Sequence, residues 1–312
     1  MIEELADSLG VLLRRDAIAV GYDDNALARL VRARRIVRIR QGAYALTELW
    51  SRASAEDRHR MLSAAVLRQY DDNIVLSHVS ALVEQGGPTW GLNLDDVHVT
   101  HLRGGGGRRT AKIVHHEGGC RVGDVTRDGR GFWITAPGRT VLDTASAVPV
   151  EVGVCVADDF LHRGLTSLAD LQFRYDNRRE WPGDLHVRRV LQLCDGRSES
   201  VGESLSRQLF KRMDLPAPEL QWEVFHPDGR LAGRTDFAWP RHRLLGEFDG
   251  RTKYLRYRRP GESIEDAVLR EKRREDLLRE LTGYLMIRLV WSDLYAQEAT
   301  AQRIRRLMAQ AA

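Results

Sequence analysis

The spacing of apolar residues changes along the chain, and each change predicts a different element. Within the first fifty residues, short helices are predicted over Glu3 to Leu9 and Arg15 to Ala19. A third helix follows, and its apolar residues recur at helical spacing: Ala26, Leu27, Leu30 and Val31. Alternation then predicts a hairpin over Ile36 to Leu46 that turns at Gln41-Gly42. Three helices and a hairpin, in this order, are typical of a winged helix-turn-helix.

The middle of the chain mixes helical and strand patterns, which predicts an α+β fold. Helices are expected over Ala55 to Tyr70 and Ser77 to Gln85, and a strand over Val97 to Leu102. The glycines from Gly104 to Gly107 suggest a phosphate-binding loop, but no Gly-Lys-Ser/Thr follows them and no helix begins there. We therefore predict a flexible hairpin loop at this point and assign no chemistry to the region.

The last part of the chain alternates helices with strands. Helices are predicted over Glu203 to Met213 and Ile264 to Leu281, and the nearly continuous apolar run from Tyr284 to Trp291 predicts a buried central strand. A final helix completes the order αβββαβα. The three consecutive strands of this order are Leu220 to Phe225, Arg234 to Trp239 and Leu244 to Phe248.

Composition places the chain among ordinary globular proteins, with 43% hydrophobic and 29% charged residues and a net charge of +4 over 312 residues. Cys120, Cys155 and Cys194 are too few and too far apart for a disulfide framework or a metal knuckle, so a reducing compartment is expected. Neither a membrane span nor a signal peptide is apparent. We expect a cytoplasmic protein that does not associate with a membrane.

Basic residues cluster in the first predicted domain. From Asn25 to Leu46 the chain has no acidic residue but six arginines, a distribution that suits phosphate contacts: Arg29, Arg32, Arg34, Arg35, Arg38 and Arg40. Asn25, Arg29 and Arg32 are predicted to reach base edges from the third helix. Arg38 and Arg40 are predicted to point outward from the hairpin, the wing, and to contact the DNA backbone or the minor groove. The alternatives are a solvated basic face and a protein-docking module.

This stretch resembles the N-terminal winged helix of AbiEi-type antitoxins, which are regulators in type IV toxin–antitoxin systems. Three further segments resemble that family's second domain: Leu76-Ser-His-Val-Ser-Ala-Leu82, Val97-His-Val-Thr100 and Ile134-Thr-Ala-Pro-Gly-Arg-Thr-Val-Leu-Asp143. The resemblance implies that the first domain binds operator DNA. It also implies that the protein restrains a toxin, typically a nucleotidyltransferase.

Acidic residues collect on the hairpin predicted near residue 240. A turn centred on Arg241 and His242 puts Asp236 opposite Glu247, and alternation puts Asp249 on the same face as Glu247. Like charges opposite one another destabilise a hairpin unless they are compensated. A divalent cation such as Mg²⁺ or Mn²⁺ would compensate them and could activate water against a phosphodiester. The alternative is a surface strand whose charges are answered by Arg234, Arg251 and Lys253.

The same hairpin resembles the PD-(D/E)xK nuclease superfamily, especially its branch similar to very-short-patch-repair endonucleases. Asp236 matches the Asp of that pattern and Glu247 matches the Glu, whereas Asp249 stands where the pattern has lysine. The resemblance implies that Asp236 and Glu247 hold the metal and that Lys253 is a displaced catalytic base. It further implies that Asp249 is an additional ligand or tunes Lys253, and that Glu203 is an outer acid from the preceding helix.

Other ionisable residues are also candidates for a site. Lys272 and Arg274 either hold phosphates, with one of them a migrated catalytic base, or pair with neighbouring acids on a solvated helix face, and we favour the solvated face. Alternation sends the adjacent His115 and His116 to opposite faces of a strand. His78 and His101 have no partners at ligand spacing, so structural roles are predicted for all four histidines.

The fold class predicted for the whole chain is α+β multidomain. The predicted domains are a winged helix-turn-helix (1–50), an AbiEi-like α+β domain (51–173), a connector (174–198) and an α/β restriction-endonuclease-like core (199–312). The predicted function is that of a DNA-binding protein with an Mg²⁺-dependent endodeoxyribonuclease domain, in a defence or toxin–antitoxin context. The competing hypothesis is a non-catalytic AbiEi-like antitoxin or autorepressor with a nucleotidyltransferase toxin as partner, and an RNA-directed nuclease is a third.

Overall fold

The structure is a computed structural model that describes residues 2–70, 73–102, 107–177, 183–250 and 262–311. The chain divides into two compact units, one of residues 1–156 and 164–192 and the other of residues 157–163 and 193–312. Both units combine helices with sheets, so the predicted α+β multidomain class is confirmed. The finer domain boundaries stay predictions. None of the helices in the described ranges has the length and apolar content that crossing a bilayer requires.

The first unit begins with a small antiparallel sheet of strand order β1-β3-β2. After a 3-10 helix its elements are β1 (Val11–Leu13), α1 (Arg14–Ala19), α2 (Asp24–Arg32), β2 (Ile36–Arg40) and β3 (Ala43–Leu46). The helix predicted over Glu3 to Leu9 was wrong beyond Leu5. The Asp7 carboxylate accepts hydrogen bonds from the backbone N–H groups of Leu9 and Val11, each at 2.9 Å, and so closes a turn where a helix would have continued.

The second and longer sheet of this unit has the strand order β6-β7-β5-β4-β9-β8 in the described part of the chain. Its strands are β4 (Ile74–Leu76), β5 (Val97–His101), β6 (Arg108–Thr110), β7 (Ile113–His116), β8 (Val125–Arg127) and β9 (Trp133–Thr135). The accompanying helices are α3 (Thr47–Arg52), α4 (Ala55–Tyr70), α5 (His78–Glu84), α6 (Pro137–Ala147), α7 (Val150–His162), α8 (Leu168–Asp176) and α9 (Asp184–Leu193). Residues 157–162 of α7 and Leu193 of α9 belong to the second unit. The predicted helix over Ala55 to Tyr70 is confirmed, whereas most of the predicted glycine loop lies outside the described residues.

One apolar core joins the small sheet to the longer one. Val11 of β1 and Ile39 of β2 pack in the same buried cluster as Met61 of α4, Ile74 of β4 and Val97 of β5. Each of these side chains is at most 3% exposed. The first forty-six residues therefore share their core with the rest of the unit.

The second unit is built on a sheet of strand order β10-β11-β12-β13 among the described residues. Its elements are α10 (Val201–Arg212), β10 (Glu219–Phe225), β11 (Leu231–Trp239), β12 (Leu244–Phe248), α11 (Ile264–Thr282), β13 (Leu285–Leu289), α12 (Trp291–Tyr295) and α13 (Gln297–Ala311). β12 and β13 are parallel, and the other neighbouring pairs are antiparallel. The predicted element order is confirmed, although the final helix is divided in two near Ala296.

The apolar strand predicted to be central lies at the end of this described sheet. Both faces of β13 carry apolar side chains that pack against other elements. Ile287 and Leu289 join a cluster with Ile304 of α13, whereas Met286 joins a different cluster with Leu278 of α11. Cover on both faces produces the same sequence pattern as a central position, which is why the pattern was misleading.

Candidate functional site

The acidic hairpin has the register that its turn predicts. Phe237 of β11 lies opposite Gly246 of β12, so the next step along the two strands brings Asp236 beside Glu247. The turn is a short 3-10 helix, and Arg243 follows it with a φ of 45°, in the left-handed region. The predicted register is therefore confirmed. It places two carboxylates on neighbouring strands.

These carboxylates line a cleft of about 510 Å³ in the second unit. The middle of β11, the end of β12, the first turn of α10 and one face of α11 form most of its walls, and Arg288 of β13 also lines it. Four of the predicted site residues line this cleft together: Glu203, Asp236, Glu247 and Asp249. Lys253, the predicted base, and Arg251 lie outside the described residues.

Asp236 is half-buried and is held across the hairpin by its partner strand. Its Oδ2 accepts a hydrogen bond from the backbone N–H of Phe248 at 2.7 Å. That contact fixes the carboxylate beside the last residues of β12, where the cleft opens. The negative charge of Asp236 also contributes to raising the pKa of Glu247.

Glu247 is only 6% exposed, and burial is the main cause that raises the pKa of its carboxyl group. Arg274 of α11 opposes that rise, because its Nη2 donates hydrogen bonds to Oε1 of Glu247 and to Oε1 of Glu271. Its Nε donates to Oε2 of Glu271, and its Nη1 donates to the carbonyl oxygen of Arg234, each at 3.0 Å. Arg274 therefore links β11, β12 and α11 around the cleft.

The predicted solvated face of α11 is correct for Lys272, which is exposed, but wrong for Arg274. Arg274 does pair with Glu271 as predicted, at i,i+3 spacing. However, its guanidinium group turns inward to Glu247, whose position on another strand the helical pattern of α11 cannot reveal. Although burial disfavours the charge, the hydrogen bond to Glu271 and the charge of Glu247 raise the pKa of Arg274 overall.

Arg288 of β13 is a second basic residue of the cleft, and the sequence reasoning missed it. Its Nη1 lies 3.4 Å from Oδ2 of Asp249, and its Nη2 lies 2.8 Å from Oε2 of Glu275 and 4.0 Å from Oε2 of Glu247. A usable signal was present, because Arg288 is the only charged residue in the apolar run from Tyr284 to Trp291. A charge within a buried strand requires a partner.

Hydrogen bonds at the start of α10 explain why the Glu203 carboxylate is buried beside the cleft. Ser200 caps α10, and the Glu203 carboxylate accepts hydrogen bonds from the Glu199 backbone N–H, the Ser200 hydroxyl and the Gln221 side-chain amide, all at 2.8–2.9 Å. Glu203 is 3% exposed. These bonds account for a buried carboxylate at the first turn of a helix.

The donor set at the hairpin suits a hard cation that keeps much of its water. Asp236 and Glu247 offer carboxylate oxygens from adjacent strands, and Mg²⁺ is commonly held by one or two carboxylates. Among the described residues, no group of three or more His, Cys, Asp or Glu side chains has a metal-holding arrangement. A cation at this point would therefore have Asp236 and Glu247 as its carboxylate ligands among the described residues and water for the rest, rather than an all-protein cage.

Most of the predicted DNA-binding residues lie on the surface of the first unit, where Asn25, Arg29, Arg32, Arg34, Arg35 and Arg38 are exposed. Arg35 pairs with Glu3. Arg40 does not point outward as predicted, because a bulge between Arg38 and Arg40 shifts the register of β2. Arg40 is half-buried, donates to Oε1 of Gln69 at 2.6 Å, and has a pKa lowered by burial.

Four histidines of β5 and β7 form two pairs on opposite faces of the longer sheet, and the ring of His78 stacks on that of His116. Nδ1 of His98 lies 2.8 Å from Nε2 of His116, and Nε2 of His101 lies 2.9 Å from Nδ1 of His115. The opposite facing of His115 and His116 is confirmed, whereas the expectation that His101 has no partner was wrong. Pairing across parallel strands β5 and β7 creates contacts that spacing along the chain does not show.

Comparison with known proteins finds a family model that is similar to the N-terminal part of the chain. Residues 1–47 match a family model described as "Transcriptional regulator, AbiEi antitoxin". Two uncharacterized proteins of Mycobacterium tuberculosis, MT2308 of strain CDC 1551 / Oshkosh and Rv2248 of strain ATCC 25618 / H37Rv, are each 28% identical over 225 residues, covering 70% of this chain and 76% of theirs. The crystal structure of the RV2827C protein from Mycobacterium tuberculosis aligns with a TM-score of 0.40 and 13% identity, over 70% of this chain and 84% of that one.

Proposed function

We propose that the protein is a transcriptional regulator that binds duplex DNA through a winged helix formed by residues 1–47. The observation that carries this proposal is the distribution of charge on α2. Asn25, Arg29 and Arg32 are exposed at i, i+4 and i+7, which is one face of a helix. The buried Leu27 anchors the same helix to the small sheet.

The remaining elements support the same assignment. Asp23 caps the start of α2 by accepting from the backbone N–H of Ala26 at 2.6 Å, which orders the end of a recognition helix that would enter the major groove. Arg38 is exposed on β2 and would contact the DNA backbone from the wing, which is the β2–β3 hairpin of residues 36–46. The match of residues 1–47 to an AbiEi-type regulator model agrees with this role.

Salt-dependent DNA binding tests the proposal. Fluorescence anisotropy with a labelled mixed-sequence duplex about three helical turns long should show binding that weakens steeply as salt rises. The logarithm of the DNA-binding constant falls linearly with the logarithm of salt concentration, and in the double variant Arg29→Ala/Arg32→Ala this fall should be shallower by about two units of slope. Arg121→Ala/Arg127→Ala is the matched control, because these two exposed arginines lie near β8 and carry no proposed DNA contact. Equal slopes for the two double variants would contradict the assignment.

A metal-dependent nuclease activity of the second unit is a further candidate, and the cleft that brings Asp236 beside Glu247 favours it. Mg²⁺ or Mn²⁺ bound there would supply an activated water and stabilise charge on a phosphodiester. Asp236 and Glu247 would hold the ion, and Lys253 would position the nucleophile. Arg288 would keep Asp249 at the rim of the cleft, and Glu203 would hold the start of α10 in place.

Plasmid cleavage distinguishes this activity from a purely regulatory role. Purified protein is incubated with supercoiled plasmid and Mg²⁺ or Mn²⁺, with EDTA as the control. Glu247→Gln and Asp236→Asn should lose cleavage and keep the affinity for DNA. Full cleavage by Glu247→Gln would rule out the assigned site. DNA binding without cleavage by the unmodified protein would support the competing role, a non-catalytic antitoxin with a nucleotidyltransferase toxin as partner.

A further inference from the structure

Basic residues continue from the wing onto a second hairpin of the same unit. β6 and β7 are joined by the two-residue turn Ala111-Lys112, in which Lys112 has a φ of 61°. The ammonium group of Lys112 donates a hydrogen bond to the carbonyl oxygen of Ile39 at 3.2 Å. Because Ile39 belongs to β2, the tip of the β6–β7 hairpin lies directly against the wing.

The wing is also fixed by helix α4. Gln69 of α4 donates to the carbonyl oxygen of Gln41 at 3.0 Å and accepts from Arg40 at 2.6 Å. Gln41 is the first residue of the wing turn. The wing, α4 and the β6–β7 hairpin are thus joined by hydrogen bonds and by one core, so they present a common surface.

Positive charge is in excess on this common surface. Arg109 is neutralised by Asp96, with 2.5 Å between Nη2 and Oδ2. By contrast, Arg108 and Lys112 are exposed and have no ion pair among the described residues. Arg108 pairs with His115 across the β6–β7 hairpin. Burial lowers the pKa of His115, and the charges of His101, Arg108 and Arg40 lower it further.

We propose that duplex DNA held by α2 and the wing also contacts the β6–β7 hairpin, where Arg108 and Lys112 bind backbone phosphates beyond the wing. The inference rests on the proposed DNA binding by residues 1–47. A duplex carries one negative charge for about every 1.7 Å of its axis. Exposed basic side chains that lie next to the wing would therefore find phosphates within reach. Such contacts position the protein on DNA and carry no sequence information.

The salt dependence of DNA binding tests the added contact. With the same labelled duplex, Arg108→Ala should lower the slope of log K against log salt by about 0.9 and weaken binding about three- to tenfold at moderate salt. Arg127→Ala is the matched control, since Arg127 is an exposed arginine on β8, at the opposite edge of the same sheet. Arg108→Lys should keep the slope, because the phosphate contact depends on the charge.

Lys112→Ala should reduce the slope by a similar amount, and Lys112→Arg should restore it. If Arg108→Ala and Lys112→Ala both bind like Arg127→Ala while Arg29→Ala/Arg32→Ala is impaired, the hairpin contact is refuted and the winged helix stands. If the hairpin variants weaken binding to single-stranded RNA but leave duplex binding unchanged, the proposed partner is wrong. If the unmodified protein binds no duplex, both proposals fail.

Discussion

Replacing Arg274 by methionine should destabilise the second unit through the charge of Glu247. The Glu247 side chain is 8% exposed and that of Arg274 is 28% exposed, so the pair is largely shielded from water. Breaking a buried pair by removing one partner costs about 3–5 kcal/mol. Since Arg274 is partly exposed and Arg288 remains 4.0 Å from Glu247, we expect about 2–3 kcal/mol at pH 8.

The cost of Arg274→Met should depend on pH, because burial already raises the pKa of Glu247. Without the guanidinium group this pKa rises further above 4.5, its ordinary value. An acid with a raised pKa in the folded state adds stability below its unfolded pKa and loses that contribution as the pH rises through the folded pKa. The variant should therefore approach the unmodified protein near pH 4.5 and fall behind it progressively towards pH 8.

Hydrogen exchange of peptides from β11 and β12 measures this effect within the second unit alone. The matched control is Arg273→Met, which removes the exposed neighbouring arginine of the same helix. The double variant Glu247→Gln/Arg274→Met should recover most of the loss, because a neutral amide needs no counter-charge. If Arg274→Met is as protected as Arg273→Met at pH 8, the reasoning about a buried pair is refuted.

Three further predictions concern packing, pH and capping. Gly202→Ala should lower the stability of the second unit by about 1–3 kcal/mol in urea unfolding, because a Cβ there would lie 2.0 Å from the Phe248 ring, and an unchanged midpoint would contradict this. Burial lowers the pKa of His98 to about 3 and that of His116 to about 4, so both stay neutral when folded. Their contribution to the free energy of unfolding is present above pH 6.5 and is lost as the pH falls towards 4. Equal protection of the β5 and β7 amides from hydrogen exchange at pH 7 and pH 5 would disprove this. Asp23→Ala should cost about 1 kcal/mol by removing the cap of α2, whereas Asp23→Asn should retain most of the stability in thermal unfolding.

Features set by local chemistry were predictable from the sequence. Pro240 ends one strand, and the turn that follows fixes the register that brings Asp236 beside Glu247. The helix predicted over Ile264 to Leu281 ends at Thr282, because the following Gly283 adopts the left-handed conformation with a φ of 64°. In both cases a few neighbouring residues determine the geometry.

Features that depend on distant partners were not predictable in the same way. Arg274 follows a helical charge pattern that a solvated face would also produce, and its contact with Glu247 arises only when α11 packs on the sheet. The alternation of β2 predicts an exposed side chain at Arg40. The bulge in β2 shifts the register, however, and the Arg40 guanidinium group donates a hydrogen bond to the side-chain amide oxygen of Gln69. β1 is too short, at three residues, for any periodicity to identify it.

The core that the small sheet shares with the rest of the first unit limits how the N-terminal segment can be used by itself. In a fragment that stops at residue 50, Val11, Ile39 and Ala43 would lose the residues of α4 and of the longer sheet that shield them from water. It would also lose Gln69 and Lys112, the two side chains that tether the wing. These fifty residues, fused to another protein as a DNA-binding domain, should therefore be unfolded or insoluble. A functional fusion has to include the longer sheet as well.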